Sequence, residues 1–401
     1  MQIFKAKSGI TVVLRPVASK LVNARYYVKC GAVEELKPAQ HGLVHALEHM
    51  CYGGTKTRDW QEIIRGFSVV GSEYNASTTY LHTNYMIDVP EAGFASAFEI
   101  LADIMYNSIF PAERWDIEKK SVCSELQNNL DNSDDFIKDT TFQHTLGKHH
   151  HLVGGTIENI LKAKIEDLTF FYDKFYKGDN LFIVVAGNLN KKQVLNIVNN
   201  YDRCSNLKLP TRQIPAYGFN SKSFSVYREG EAQVYFTGIK KLDFKQTPKN
   251  IIIGRIMTKV LSDYLFEEIR EKRGLSYGIQ VNLETDIPGA SYIVAFTYTD
   301  AGRADDMKRV LVQAVLDFPK HLTEERIHRS KMGFLRATME SERSSGEIAK
   351  IVGQDFLDGS TEDPLAFRYR ILEEVSNNTI RNFASTYISN EKIKLGILRS
   401  K

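Results

Sequence analysis

Cysteine is scarce in this chain: Cys30, Cys51, Cys123 and Cys204 are scattered over 401 residues and form no C-x-x-C pair. That scatter argues against a disulfide framework and reads as reduced, packed thiols in a reducing compartment. Long apolar runs are missing too. No stretch approaches the roughly 18 apolar residues needed to span a bilayer, and the N-terminus, Met-Gln-Ile-Phe-Lys-Ala-Lys-Ser-Gly, has no apolar signal region. A soluble, cytoplasmic protein without a membrane partner is expected. Charge of one sign is also lacking, since 52 basic residues face 49 acidic ones for a net +3. Without a dense Lys/Arg stripe, nothing asks for nucleic acid. No G-x-S-x-G elbow, P-loop or dinucleotide G-x-G-x-x-G stands in a fitting context.

What is present is concentrated in His41-Gly-Leu-Val-His45-Ala-Leu-Glu48-His49-Met-Cys-Tyr-Gly-Gly54. On a helix, His45, Glu48 and His49 project from one face. Two imidazoles at that spacing can bind one metal ion and leave the carboxylate beside them free to handle a proton. The order is that of a zinc-peptidase motif with the glutamate moved next to the second histidine.

The length predicts two domains of about 200 residues each. Strands are expected at Ile10–Leu14, Val22–Cys30 and Leu181–Ala186, and one ending near Val89-Pro90 after Gly71–Thr79. Helices are expected over Gln40–Tyr52, Trp60–Phe67, Glu91–Tyr106, Ala112–Leu130 and Ile165–Tyr176, with a loop-rich stretch around His144–Gly155. Residues 204–220, with Pro210, Pro215 and Gly218, read as a linker. Beyond it come strands near Ser223–Tyr227, Gln233–Ile239, Tyr277–Glu284, Ser291–Tyr298 and Ile393–Leu398. A long helix is expected over Asn250–Glu271, and several more between Arg303 and Tyr387. Leu168, Phe171, Phe175 and Leu181 recur with identical spacing in the second half as Ile380, Phe383, Tyr387 and Ile393, which points to an internal duplication. The counterpart of the histidine helix, near Arg255–Tyr264, contains no histidine.

A catalytic zinc site needs a third protein ligand and an open position for water. The helix after Pro111 offers Glu113, Glu118 and Glu125, of which the last two share a face. His149-His150-His151, with His144 nearby, cannot all face one ion and read as a solvated loop.

With H-x-x-E-H at His45–His49 followed downstream by Glu118-x6-Glu125, the sequence resembles the pitrilysin and insulin-degrading-enzyme peptidases, a family that includes the mitochondrial processing peptidase. The separation between His49 and Glu125 is also the family's. Further matches are Gly53-Gly54-Thr55 with the family's G-T turn and Asn75-Ala76 with Thr78, Thr83 and Tyr85 with its N-A-x-T…T-x-Y edge strand, although Leu81 stands where many members have glutamate. Leu265–Tyr277 resembles the signature L-R-E-x-R-G-L-x-Y.

The resemblance implies an α+β fold of two tandem homologous α/β domains, each an antiparallel-rich sheet packed with helices, together half of a clamshell. Residues 1–205 would be the zinc domain, 206–220 the linker, and 221–401 the domain without zinc ligands. It implies His45, His49 and Glu125 as ligands of one Zn2+ per chain and Glu118 as the carboxylate orienting a ligand histidine. Glu48 would be the general base, and Asn75 and Ala76 would bind the peptide. Arg270 and Tyr277 would complete the active site from the opposite wall. The implied activity is a zinc metalloendopeptidase that hydrolyses short or unfolded peptides by Glu48-assisted attack of a zinc-bound water in a closed dimeric chamber. The chamber would be a homodimer, or a heterodimer with a related subunit. The alternative is a non-catalytic scaffold or regulatory subunit of the same family, whose degenerate members usually lose one of the two motif sets. Both sets are retained here.

Overall fold

Segments rich in β-branched and aromatic residues pair into two sheets, and amphipathic segments cover them. The computed structural model describes residues 1–147, 150–205, 207–209, 212, 217–287, 289–388 and 393–401. In the first half the chain runs β1 (Gln2–Lys5), β2 (Thr11–Pro16), β3 (Leu21–Val28), α1 (Leu43–Cys51), α2 (Trp60–Val69), β4 (Glu73–Thr78) and β5 (Thr83–Pro90). It continues through α3 (Phe94–Asn107), α4 (Ala112–Asp131), α5 (Ser133–Leu146), α6 (Ile157–Lys162), α7 (Ile165–Phe175), β6 (Leu181–Gly187) and α8 (Lys191–Tyr201). The second half is β7 (Phe224–Arg228), β8 (Val234–Leu242), α9 (Pro248–Phe266), β9 (Ile279–Glu284) and β10 (Ser291–Thr299). Then follow α10 (Ala304–Asp317), α11 (Glu324–Ser341), α12 (Ser345–Leu357), α13 (Pro364–Glu374), α14 (Asn377–Tyr387) and β11 (Lys394–Ser400).

The chain forms two compact units. The first comprises Met1–Gln127, Leu152–Ile214 and Met339–Pro364; the second Asn128–His151, Pro215–Thr338 and Leu365–Lys401. The first unit's sheet has the order β1-β2-β6-β3-β5-β4. All its pairings are antiparallel except β2 with β6. Every residue of β6 is buried, as expected of a central strand covered on both faces. Leu181, Ile183 and Val185 join the main core with α1, α3 and α7, while Phe182 on the other face stacks on Tyr27 at 4.9 Å and packs at a tilt against Phe356 of α12 at 4.8 Å. The second unit's sheet has the order β7-β11-β8-β10-β9 and is likewise antiparallel except for β7 with β11. Its core is built on α9, α10 and α14, and α5 lies on β8 and β11. The fold is therefore α+β with two mixed sheets, each packed with helices. Among the described residues no helix is long and apolar enough to cross a membrane.

The structure corrects several expectations. The histidine helix begins at Leu43, because Gly42 takes φ 95° and breaks the helical path from the short turn at Pro38–Gln40. Residues 71–90 form a hairpin of two strands, and β1, α6 and α8 add to the elements expected. The loop-rich reading around His144–Gly155 overlooked α5. Its buried face includes Thr141 and Thr145, whose hydroxyls donate to helix carbonyls four residues back, so apolar periodicity is weak there. His150 is buried beside Phe142 and Tyr217 rather than solvated, and burial, with His151 adding, pulls its pKa down to about 3. His149, Pro210 and Pro215 lie outside the described residues.

Candidate metal centre

Helix α1 is buried on almost every side: Leu43, Val44, Ala46, Leu47, Met50 and Cys51 all lie in the core. The remaining face carries His45, Glu48 and His49. Gly42 has no side chain to cap the helix, and Glu35 does so from the preceding turn. Its carboxylate accepts from Gly42 N at 2.9 Å and from Val44 N at 2.7 Å. Helix α4 anchors through buried Trp115, Val122 and Leu126 and presents Glu118 and Glu125 to α1.

His45, His49 and Glu125 converge, with one potential ligand atom from each lying within 4.8 Å of the others. His45 Nε2 is 3.6 Å from Glu125 Oε1, and His49 Nε2 is 3.5 Å from Glu125 Oε2. These separations are long for hydrogen bonds. They match the roughly 3.4 Å between two donors that each sit about 2.1 Å from a tetrahedral zinc ion. The donor set of two imidazoles and one carboxylate also suits zinc with an open position. The residues present therefore fit the metal.

Around this group the polar partners are unequal. His49 Nδ1 lies 3.5 Å from Glu118 Oε2, and Glu118 is in turn bonded by Arg114, whose guanidinium stacks 4.7 Å over Trp60. His45 Nδ1 is buried and has no partner among the described residues. Burial, and then His49, lowers the His45 pKa to about 4. Burial acts on His49 in the same sense, but Glu118 and Glu125 outweigh it and raise its pKa to about 9. Glu48 is left out of the ligand group. The Thr78 hydroxyl donates to its Oε2, and burial pushes its carboxyl up to about 7 against the opposing pull of Thr78 and His49. Glu48 thus stands as a carboxyl beside the ligand group and outside it, a position suited to exchanging a proton.

Thr78 ends β4, the outer strand of the sheet, whose side chains alternate between half-buried and exposed. Asn75 and Ala76 sit on this strand. Tyr52 Oη donates to Asn75 O at 3.1 Å, and Asn75 Oδ1 accepts from Ala76 N at 2.8 Å. Tyr85 is a core residue, buried with its hydroxyl on Cys51 Sγ and Tyr176 Oη.

Arg270 and Tyr277 belong to the second unit. Arg270 lies in a single π-helical turn, Glu267–Glu271, that continues α9; such turns recur at functional sites. Gly274, at φ 54°, reverses the chain, and Leu275 N bonds to Ile269 O at 2.8 Å. The Tyr277 ring is thereby carried to 4.3 Å from the Arg270 guanidinium, and it is 74% exposed. The Arg270 guanidinium thus makes a cation–π contact with the exposed phenol.

Glu35 and Arg114 escaped the sequence reading. Arg114 was readable as an i, i+4 partner of Glu118, whereas a cap reaching Gly42 from as far upstream as Glu35 follows no spacing rule. A cavity of about 480 Å³ beside Arg114, lined by Trp60, Ile109, Pro111 and Ile117, includes none of the three convergent ligands.

Residues 11–152 match the model of the insulinase family (peptidase family M16), and residues 162–334 match that of the peptidase M16 inactive domain. An uncharacterized zinc protease of Rickettsia felis is 29% identical over 346 residues, 82% of this chain and 81% of that one. The beta subunit of the mitochondrial-processing peptidase of Dictyostelium discoideum is 24% identical over 413 residues, 95% of this chain and 85% of that one. The crystal structure of a protease from Helicobacter pylori superposes with a TM-score of 0.88 at 18% identity, covering 99% of both chains. With both of its domains matched in order, the chain belongs to peptidase family M16, the insulinase family.

Proposed function

We propose that this protein is a zinc metalloendopeptidase acting on short or unfolded peptides. The observation that carries the reading is the spacing of His45, His49 and Glu125 at ligand rather than hydrogen-bond distance, with Glu48 beside them and outside the set. His45, His49 and Glu125 would hold one zinc ion per chain, and Glu118 would keep the His49 ring in place. Zinc bound there supplies a Lewis acid that acidifies water and polarises the scissile carbonyl. Glu48 takes the proton from the attacking water and delivers it to the leaving amine; Thr78 fixes its carboxylate. Asn75 and Ala76 offer the main chain of an outer strand to an extended peptide, which would replace the Tyr52 and Asn75 side-chain bonds now made there. Main-chain pairing of this kind grips peptides with little regard to their sequence.

In this reading residues 1–205 carry the metal chemistry and 221–401 supply Arg270 and Tyr277. These two would stabilise the oxyanion from a second subunit of a closed dimer. The test is to incubate the purified protein with a mixed peptide library and map the cuts by mass spectrometry, with Glu48→Gln as control and bound zinc measured by elemental analysis. A variant that keeps zinc but does not cut supports the mechanism. One that keeps zinc and cuts like the parent refutes it, and a parent that never cuts favours a non-catalytic subunit.

A further inference from the structure

The two histidines of the metal group are oriented by different means. His49 has Glu118 behind its second ring nitrogen, and Arg114 behind Glu118. A carboxylate behind the nitrogen that does not face the metal normally orients a ligand histidine, and here Glu118 stands at ion-pair distance, 3.5 Å. The buried His45 Nδ1 has no such partner among the described residues. On that side it faces Gly154, where an added Cβ would stand 3.7 Å from it. No side chain behind the His45 ring fixes it through Nδ1, so the placement of the α1 backbone, with the edge-on contact to the His49 ring at 4.8 Å, bears on where it points.

His45 is the third residue of α1, in the first turn, where the amide N–H groups have no partner within the helix. Several helices of this protein solve that problem locally: Asp59, Asn132, Thr156, Asn190, Thr247 and Ser376 each cap the helix that follows them. Helix α1 starts instead on Gly42, where any Cβ would come within 2.4 Å of Gly154 O. A capping side chain is sterically barred at that position. Glu35, 2% exposed, replaces it, with one carboxylate oxygen on Gly42 N and the other on Val44 N, the residue before His45.

We propose that Glu35 is a positioning residue for the metal centre: by clamping the first turn of α1 it holds His45 in ligand geometry, doing for that histidine through the backbone what Glu118 does for His49 through the ring. The inference rests on the zinc reading above. It goes further in predicting that the remote cap governs metal affinity and coordination, beyond its effect on helix stability.

The test uses the full chain and three variants. Glu35→Gln turns an amide NH2 toward a backbone N–H. Glu35→Asp keeps the carboxyl group but cannot reach both amides, and it decides the matter should the glutamine variant not fold. Asn190→Ala removes an ordinary cap from α8, whose side chain accepts from Gln193 N, and serves as a control of matched kind. Zinc affinity is measured by chelator competition, coordination by the visible absorption of the Co2+-loaded protein, and stability by thermal melting. Both Glu35 variants are expected to weaken zinc about tenfold, within the range seen when groups behind metal ligands are removed, and to change the Co2+ spectrum. Asn190→Ala should lower the melting temperature and leave both metal readouts unchanged. Zinc affinity within about twofold of the parent in the folded Glu35 variants would overturn the proposal, as would equal weakening by Asn190→Ala. A parent chain that binds no zinc overturns the zinc reading as well, and is seen before any variant is compared.

Discussion

The two sheets share one connectivity and differ in what they carry. Setting β1 aside, the first unit reads β2-β6-β3-β5-β4 and the second β7-β11-β8-β10-β9, with the parallel pair in the same place. In the first, the helix after the second strand of this shared set is α1, with His45, Glu48 and His49. In the second it is α9, where Ile251, Ile252, Ile253, Ile256, Met257, Val260 and Leu261 fill the core. The stretch from Ile251 to Leu261 has no histidine, cysteine or carboxylate. The offset that carries Leu181 onto Ile393 carries Glu118 and Glu125 onto Ser330 and Ala337, so the counterpart of α4 has no carboxylate at either of these positions. The fold does not depend on the chemistry. The candidate ligand group is an addition to the facing sides of α1 and α4, and on α1 it leaves buried polar side chains where the second unit has hydrocarbon.

The units also exchange equivalent helices. The caps Asn132 and Ser344 are related by that same offset, yet α5 from the first half belongs to the second unit and α12 from the second half to the first. Their seats differ. Phe182 of β6 packs against Phe356, whereas its counterpart in β11 is Lys394, wholly buried, with Nζ 5.5 Å from the Phe224 ring and no hydrogen-bond partner among the described residues.

Substitutions can break or sharpen these contrasts. The largest effect is expected from Glu48→Gln, which should cut kcat by about 10²–10⁴ while zinc content is unchanged. Tyr277→Phe should cost about 10²–10³ in kcat for loss of one oxyanion donor. Because that residue is exposed, its melting curve should overlie the parent's. Placing a histidine where the second unit has core, as Leu261→His, should destabilise by about 2–4 kcal/mol in urea unfolding. It should bring no metal with it, since Ala337 supplies no carboxylate.

The smallest effect concerns the seat of α5. Burial lowers the Lys394 pKa to about 8, so the folded state resists the charge that the unfolded chain keeps up to about 10.4. The cost is full below pH 8 and disappears above the unfolded value. Lys394→Met should therefore stabilise the protein by about 1–2 kcal/mol at pH 7, with the gain shrinking as pH rises from about 8 to about 10.4. A gain independent of pH would show that the ammonium is not the source.

Much of the site was legible because it is local. H-x-x-E-H and the two-turn step from Glu118 to Glu125 follow from helical periodicity alone, and the repeated spacing announced the second unit. The convergence of α1 with α4 is tertiary, and only the family resemblance anticipated it. Other features stayed hidden for physical reasons. The inner face of α5 pairs its threonine hydroxyls with its own carbonyls, which blurs the apolar pattern. Glu35 reaches its helix across a turn rather than from the cap position. His150 is buried by Phe142 and Tyr217, which are remote from each other in sequence. The exchange of α5 and α12 leaves no trace in local composition.

The account stands on one claim, that the first unit alone binds a catalytic metal through His45, His49 and Glu125. Elemental analysis of the purified parent and of Glu125→Gln, each dialysed against a trace of zinc, tests it most directly. The account predicts one zinc per parent chain and a substoichiometric residue in the variant, with both melting as folded proteins. A parent without zinc, or a variant that retains it in full, would contradict it.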